Sequence, residues 1–154
     1  MKHIFSILAV SLIFCAGTFA QSAQKLPPLS FDHYALYVKD MNVSAEFYMK
    51  ALGLKEMDCP IKDGRHRWFY LGNGQELHII QGDNSKIQME KNMHICLHTT
   101  DIKPYMKHLT EVGIPFESWQ GKPGESNVRI DGASQIYIVD PDGYWVEIND
   151  ANTK

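Results

Sequence analysis

The segment FDHYALYVKDM, residues 31–41, decides the fold because its pattern recurs later in the chain. The second copy is NMHICLHTTDI, residues 92–102. An offset of 61 residues places His33 on His94, and each of these histidines opens a segment that favours a strand. The sequence therefore contains two related halves, and each half begins with a histidine on a predicted strand.

Later residues of the two halves also match, at an offset of 69 residues. This offset places Gly74 on Gly143 and His78 on Glu147. Each half thus supplies one ligand-type residue on an early strand and one on a late strand. Four such residues from two duplicated halves indicate a metal site on a pseudo-two-fold axis.

Each half has the pattern of a β-α-β-β-β module. Asp40 and Asp101 are helix N-cap types, and Gly53 and Gly113 stand where helices end. The turn at residues 72–74 contains Asn-Gly, a strong hairpin signal. The predicted strands cover residues 31–38, 54–58, 67–71 and 76–81 in the first half, and 95–99, 114–117, 135–139 and 144–149 in the second.

The N-terminal residues 1–20 have the pattern of a secretory signal peptide. A basic start precedes an apolar run, and the small residue Ala20 marks the expected cleavage site. The apolar run is shorter than the roughly 20 residues that a membrane-spanning helix needs. Two alternatives are an uncleaved anchor helix, which this length disfavours, and a lipoprotein processed at Cys15, which the bulky preceding residue Phe14 disfavours.

The remaining chain is interpreted as a linker, residues 21–30, and one domain, residues 31–150, with modules at 31–82 and 92–150. Removing residues 1–20 removes one cation and no acid, so 14 basic and 18 acidic residues leave a net charge of −4. This balance argues against binding to nucleic acid. Two cysteines at no recognised spacing do not make a disulfide framework.

These features resemble the vicinal oxygen chelate superfamily, which includes glyoxalase I, methylmalonyl-CoA epimerase, fosfomycin-resistance proteins, extradiol dioxygenases and bleomycin-binding proteins. The matching elements are His33, the helix ending at residues 45–54, His94, and the closing motif DPDGYWVE at residues 140–147. The resemblance implies an α+β fold in which two βαβββ modules form a cupped mixed sheet with the metal inside the cup. It also implies a small-molecule substrate and, because members often pair, a homodimer.

His33, His94 and Glu147 form the predicted core of the metal site. Alternate residues of a strand face the same side, so Glu147 can face the cup while its neighbours in sequence face the other way. Two imidazoles and a carboxylate suit Zn, Ni, Mn or Fe. A catalytic metal also keeps an open position for substrate or water.

The fourth ligand is either His78 or Glu76, which face the same side of one strand. Counting from the hairpin glycines of the two halves selects His78. Glu76 instead has the residue type that glyoxalase-like members usually carry. A histidine at this position departs from the pattern of glyoxalase I, in which the corresponding Glu is also tied to proton transfer.

Several further side chains are candidates for contact with a substrate. Arginines can bind a carboxylate in bidentate fashion, and tryptophans and tyrosines can line a cup. Each of these side chains also has an ordinary structural interpretation as hairpin charge or core aromatic. The candidates are Arg65, Arg67 and Trp68 on one wall, and Trp119, Asn127, Arg129 and Tyr137 on the other.

We expect a metal-dependent lyase or isomerase of the lactoylglutathione lyase type. Substrate oxygens would bind the metal as a Lewis acid, and Glu147 or Glu76 would move a proton at the neighbouring carbon. One alternative is an Fe(II) extradiol-type dioxygenase, which uses a His₂–carboxylate set. The other alternative is a binding protein for a drug or another small molecule, without enzymatic activity.

Export is the first testable prediction. The mature protein should begin near Gln21 and occur in the periplasm or outside the cell, because the start of the chain matches a signal peptide. Mass spectrometry of the cell-envelope fraction measures this directly. Retention of residues 1–20 in the main species contradicts export, and a lipid on Cys15 would identify a lipoprotein instead.

Overall fold

The computed structural model describes residues 26–151 of the chain. The predicted signal peptide and the first part of the predicted linker lie outside the described residues. Residues 26–30 contain no helix or strand, and the main compact unit begins at Phe31. Within the described part, no helix is both long enough and apolar enough to cross a membrane.

The first module contains one helix and four strands. In chain order they are β1 (His33–Val38), α1 (Met41–Leu52), β2 (Lys55–Met57), β3 (His66–Gly72) and β4 (Gln75–Gln81). The strand order in the sheet is β1-β4-β3-β2, with β1 parallel to β4 and the other pairs antiparallel.

The predicted ends of α1 are confirmed. The Asp40 carboxylate accepts hydrogen bonds from the backbone N–H groups of Asn42 at 2.8 Å and Val43 at 3.3 Å. Gly53 follows the helix with a φ of 66°, a left-handed conformation that favours glycine.

The second module repeats this topology. Its elements are β5 (His94–His98), α2 (Lys103–Glu111), β6 (Asn127–Val128), β7 (Ser134–Val139) and β8 (Trp145–Asn149). The strand order is β5-β8-β7-β6, again with the first pair parallel and the others antiparallel. The predicted fold class, α+β with two βαβββ modules and mixed sheets, is therefore confirmed.

The strand predicted at residues 114–117 is wrong. Ile114 and Phe116 are buried in the core, but Pro115 between them has no N–H group for a ladder of hydrogen bonds. Glu117 forms isolated bridges to Pro123 and Tyr137 instead. The third element of the second module is the short strand β6, which follows the Gly- and Pro-containing loop.

One apolar core joins the two modules through the faces of the sheets that carry the helices. Because alternate strand residues face opposite sides, His33, His78, His94 and Glu147 lie on the faces turned away from this core. The fully buried core side chains include Leu36, Val38, Phe69, Leu77 and Ile79 from the first sheet, Ile136, Ile138, Val146 and Ile148 from the second, and Tyr48 and Leu109 from the helices.

The turn between β7 and β8 binds the second module to α1 of the first. The Tyr48 hydroxyl donates to an Asp140 carboxylate oxygen at 2.9 Å, and the Ser44 hydroxyl donates to Asp142 at 3.0 Å. Asp142 also accepts from the Lys39 backbone N–H at 2.9 Å and from the Asn84 amide at 2.7 Å. Two carboxylates of one turn thus fix how the modules pack.

Removal of the Tyr48 hydroxyl should destabilise the fold in a pH-dependent way. Tyr48→Phe leaves a buried carboxylate oxygen without its donor, so we expect a loss of about 1–3 kcal/mol in the free energy of unfolding at pH 7. Burial raises the pKa of Asp140, and the Tyr48 hydroxyl opposes this shift by stabilising the ionised form.

The sign of the pH effect follows from this balance. The folded protein holds the Asp140 proton more tightly than the unfolded chain, so this carboxyl contributes stability in acid that is lost as pH rises through its raised pKa. The Tyr48→Phe penalty should therefore shrink as pH falls from 7 into the acid range, through the raised pKa of Asp140. Urea unfolding at pH 7 and at pH 4 measures it, with exposed Tyr70→Phe as the matched control. A penalty equal at both pH values would contradict this account.

Candidate metal centre

The second module brings His94 and Glu147 into direct contact. His94 opens β5, and Glu147 lies on the adjacent parallel strand β8. The His94 Nε2 atom is 3.0 Å from a Glu147 carboxylate oxygen. Both side chains are largely shielded from solvent, with exposed fractions of 23% and 5%.

The Glu147 carboxylate has several hydrogen-bond donors. The Tyr137 hydroxyl donates to it at 2.6 Å and the Asn149 amide at 2.7 Å, while the Arg129 guanidinium lies at 3.3 Å. Burial by itself raises the pKa of Glu147, but the hydrogen bonds from Asn149 and Tyr137 outweigh it and hold that pKa below its ordinary value. This shift favours the ionised carboxylate, which is the form that binds a metal ion.

The orientation of His94 is fixed by a backbone carbonyl. Its Nδ1–H donates to the Lys91 carbonyl oxygen at 2.8 Å. Metal-binding histidines usually donate their other ring N–H to such an acceptor. The Nε2 atom then faces the Glu147 carboxylate with a lone pair. Because two lone pairs repel each other, this contact is favourable only when a proton or a metal cation lies between the two atoms.

The first module holds a different cluster. The His33 Nδ1–H donates to Asp32 at 2.7 Å, and the His33 ring stacks on the His78 ring with centroids 4.1 Å apart. The other face of His78 stacks on Trp68 at 3.9 Å. The His78 Nε2 atom contacts a Glu76 carboxylate oxygen at 2.8 Å, so Glu76 and His78 form one hydrogen-bonded unit.

The strand register places His78 and Glu147 at equivalent positions of the two sheets. In β1 and β4, Ala35 lies opposite His78, and in β5 and β8, Cys96 lies opposite Glu147. His78 therefore occupies the position of Glu147, as the hairpin count predicts. Beside it, the Trp68 Nε1 atom is buried with no hydrogen-bond partner among the described residues.

The nitrogen and oxygen donors of these residues are of the types that bind divalent metal ions. Imidazole nitrogens and carboxylate oxygens bind Zn, Ni, Mn and Fe, and both His33 and His94 use Nδ1 for an orienting hydrogen bond. The 3.0 Å between the His94 Nε2 atom and a Glu147 carboxylate oxygen places one nitrogen donor and one oxygen donor side by side.

The predicted ligands do not converge within one chain. Across residues 26–151, no group of three or more His, Cys, Asp or Glu side chains could hold a metal ion. The physical reason is the packing of the modules, because each sheet turns its ligand face away from the shared core. His33 with His78, and His94 with Glu147, are two separate half-sites.

The expectation that Arg67 faces the cup is corrected by the structure. Neighbouring strand residues face opposite sides, so Trp68 lies on the ligand face and Arg67 on the helix face. The Arg67 guanidinium binds the Glu56 carboxylate with distances of 2.6 and 2.8 Å. Arg65, just before β3, donates its Nε–H to the Gln81 carbonyl at 3.0 Å.

The opposite wall is formed beside the second half-site. Tyr137 is buried and donates to Glu147, and the Trp119 ring lies 5.6 Å from the Tyr137 ring. Asn127 supports this wall from behind, because its amide oxygen accepts the Trp119 backbone N–H at 2.7 Å. Lys91 also belongs to this region, although it lies in the junction between the repeats, where the sequence pattern carries no signal.

Comparison with known proteins places the chain in a family. Residues 30–148 match the model of the Glyoxalase/Bleomycin resistance protein/Dioxygenase superfamily. An uncharacterized protein of Bacillus subtilis strain 168, YwbC, is 32% identical over 122 residues, which cover 75% of this chain and 93% of that protein.

More distant relatives agree with this match. A lactoylglutathione lyase of Pseudomonas putida is 23% identical over 164 residues, covering 86% of this chain and 91% of the enzyme. The crystal structure of a fosfomycin resistance protein, FosX, from Listeria monocytogenes has the same fold, with a TM-score of 0.61, 21% identity, and coverage of 83% and 96% of the two chains. The chain therefore belongs to the Glyoxalase/Bleomycin resistance protein/Dioxygenase superfamily.

Proposed function

We propose that this protein is a metal-dependent glyoxalase-like lyase or isomerase that acts on a small oxygenated substrate. We propose further that its metal centre is completed between two copies of the chain. The observation that carries both proposals is the division of the ligand-type residues into two half-sites, His33 with His78 and His94 with Glu147, on equivalent strands of equivalent sheets.

Sheet topology supports completion by a second copy. β1 carries His33 and β5 carries His94, and both are edge strands of their sheets. A two-fold axis makes each copy present the same surface to the other, so β1 of one copy can lie beside β5 of its partner. Each of two equivalent sites then receives one half-site from each chain, and the homodimer is part of the proposal.

The metal ligands in this proposal are His33, His78, His94 and Glu147. A divalent ion held there would supply Lewis acidity toward two neighbouring oxygens of the substrate. Glu147 suits the ligand role, because its hydrogen bonds favour the ionised form. The donor set alone does not choose among Zn, Ni, Mn and Fe.

Glu76 is the proposed proton carrier. Its side chain is 26% exposed and contacts His78, whereas Glu147 is buried among several donors. In the isomerisation of a 2-hydroxycarbonyl substrate, the Glu76 carboxylate takes the proton from the hydroxyl-bearing carbon, the C–H electron pair forms a C=C bond, and the carbonyl π pair moves to its oxygen. The protonated Glu76 then returns this proton to the former carbonyl carbon, while the hydroxyl proton moves to the former carbonyl oxygen, so that the C=O and C–OH groups exchange places. Trp68, Trp119 and Tyr137 enclose the substrate and exclude water.

Two other functions are distinguished by direct assays. An Fe(II) extradiol-type dioxygenase would consume O₂ with a catechol and lose activity when the iron is oxidised. A binding protein would hold its small molecule without turnover. Proton exchange from the α-carbon of a 2-hydroxycarbonyl substrate into D₂O, followed by NMR, would occur with the proposed enzyme and with neither alternative.

A mixed dimer tests whether the site lies between chains. His33→Ala and Glu147→Ala each damage both sites of a homodimer, so each variant alone should bind zinc weakly. A dimer with one copy of each variant has both changes in one site and leaves the other intact, so mixing after unfolding and refolding should restore about one tight zinc site per mixed dimer. Isothermal titration with Zn²⁺ measures the stoichiometry.

The matched control is His33→Ala refolded with a differently tagged copy of itself, which should remain without a tight site. Failure of the mixed dimer to regain zinc, or a monomeric protein that binds zinc tightly, contradicts assembly between chains. Loss of zinc binding in all forms, including the unaltered mature protein, would remove the metal centre itself.

The roles of His78 and Glu76 separate by their effects on binding and turnover. His78→Ala should lower zinc affinity more than Glu76→Ala does, because His78 stands at the position of Glu147. Glu76→Gln should leave zinc affinity nearly unchanged and lower the exchange rate by about 10²–10⁴-fold, the usual contribution of a positioned proton carrier. Weaker zinc binding in Glu76→Ala than in His78→Ala would make Glu76 the ligand and His78 its hydrogen-bonded support.

A further inference from the structure

We infer that Lys91 is a positioning residue that holds the His94–Glu147 pair in its observed geometry. Lys91 lies in the segment that connects the two modules, just before β5. The consequence for metal binding rests on the proposed function, whereas the positioning itself concerns the protein without metal.

The Lys91 ammonium group uses all of its hydrogen-bonding capacity inside the protein. It donates to a Glu117 carboxylate oxygen at 2.7 Å, to the Ser118 carbonyl at 2.7 Å and to the Trp119 carbonyl at 3.1 Å. A lysine ammonium has three N–H donors, so these three acceptors satisfy it. Its side chain is only 16% exposed, and Glu117 balances its charge.

Three aromatic rings surround the same ammonium group. The Nζ atom lies 4.6 Å from the ring centroid of Tyr137, 4.8 Å from that of Trp145 and 5.7 Å from that of Trp119. Contacts within about 6 Å of a ring centroid are attractive, and they gain strength when the cation is shielded from water. We call this group of three rings the aromatic cage.

Both members of the half-site are connected to this arrangement. The carbonyl of Lys91 accepts the Nδ1–H of His94 at 2.8 Å, so anchoring Lys91 anchors the acceptor that orients the imidazole. Tyr137 of the aromatic cage donates to Glu147 at 2.6 Å. Trp145 of the cage lies directly opposite His94 in the strand register. One largely shielded cation therefore contacts the surroundings of both the imidazole and the carboxylate.

The saturated ammonium distinguishes positioning from proton transfer. A lysine that exchanges protons with a substrate needs a free donor or a path to the substrate, whereas all three donors of Lys91 are bound to one loop, residues 117–119. The three hydrogen bonds instead connect the segment between the modules to that loop. Its loss should loosen the His94 orientation without removing any ligand.

The test follows the His94 Nδ1–H proton in the metal-free mature protein by ¹H–¹⁵N NMR. We expect a resolved, slowly exchanging signal in the unaltered protein, and its loss or broadening in Lys91→Met. The zinc dissociation constant, measured by titration, should rise about 10-fold or more, because groups that orient metal ligands typically change affinity by 10–100-fold. Lys107→Met, which removes an exposed lysine on α2 that pairs with Glu111, is the matched control and should change neither quantity.

Persistence of the His94 Nδ1–H signal in folded Lys91→Met at its original position would overturn the inference. If Lys91→Met does not fold, Glu117→Ala decides the question, because it removes the carboxylate partner and keeps the lysine; an unchanged signal there also overturns it. Absence of zinc binding in the unaltered protein would count against the proposed function alone, since the NMR comparison requires no metal.

Discussion

The hydrogen bonds from Tyr48 to Asp140 and from Ser44 to Asp142 bind the closing turn of the second module to the first helix of the first module. They are buried or nearly so, and they lie at the border of an apolar core to which both sheets contribute. Because this contact joins the helix-bearing faces, each sheet must turn its other face outward. The ligand-type residues occupy those outward faces, so the packing that stabilises one chain also separates its two half-sites.

The edge strands β1 and β5 each carry one histidine of the separated half-sites. β1 and β5 are edge strands, and an edge with unpaired backbone groups favours pairing with another chain. Each edge carries a histidine at its first residue, and the strand beside it carries His78 or Glu147. In the proposed dimer, the two edge strands that would meet therefore carry residues of both half-sites.

Local pattern was sufficient for most of the fold. The repeat predicted the two modules, the alternation of strand residues predicted which side chains share a face, and the glycine-anchored count predicted that His78 stands at the position of Glu147. Local pattern failed where backbone chemistry intervened, as at Pro115, whose missing N–H prevents the strand expected at residues 114–117. It also failed for Arg67, because neighbouring strand residues face opposite sides and Trp68, not Arg67, shares the face of His78.

The sequence could not reveal how the modules pack, because that depends on contacts far apart in the chain, such as Tyr48 with Asp140. For the same reason it identified ligand types but not their division into two half-sites. The sequence pattern does not identify Lys91 as a positioning residue, because Lys91 lies between the repeats, where no matching position exists. Its proposed role also depends on aromatic rings from three later segments of the chain.

The two half-sites differ in a way that bears on the chemistry. Glu147 is surrounded by Tyr137, Asn149 and Arg129, and such a carboxylate remains an anion. Glu76 is more exposed and contacts His78, so it retains the freedom to accept and return a proton. In the proposed reaction Glu147 would hold the metal and Glu76 would carry the proton, so the two carboxylates would have separate roles. This asymmetry is the reason that we place the lyase or isomerase first.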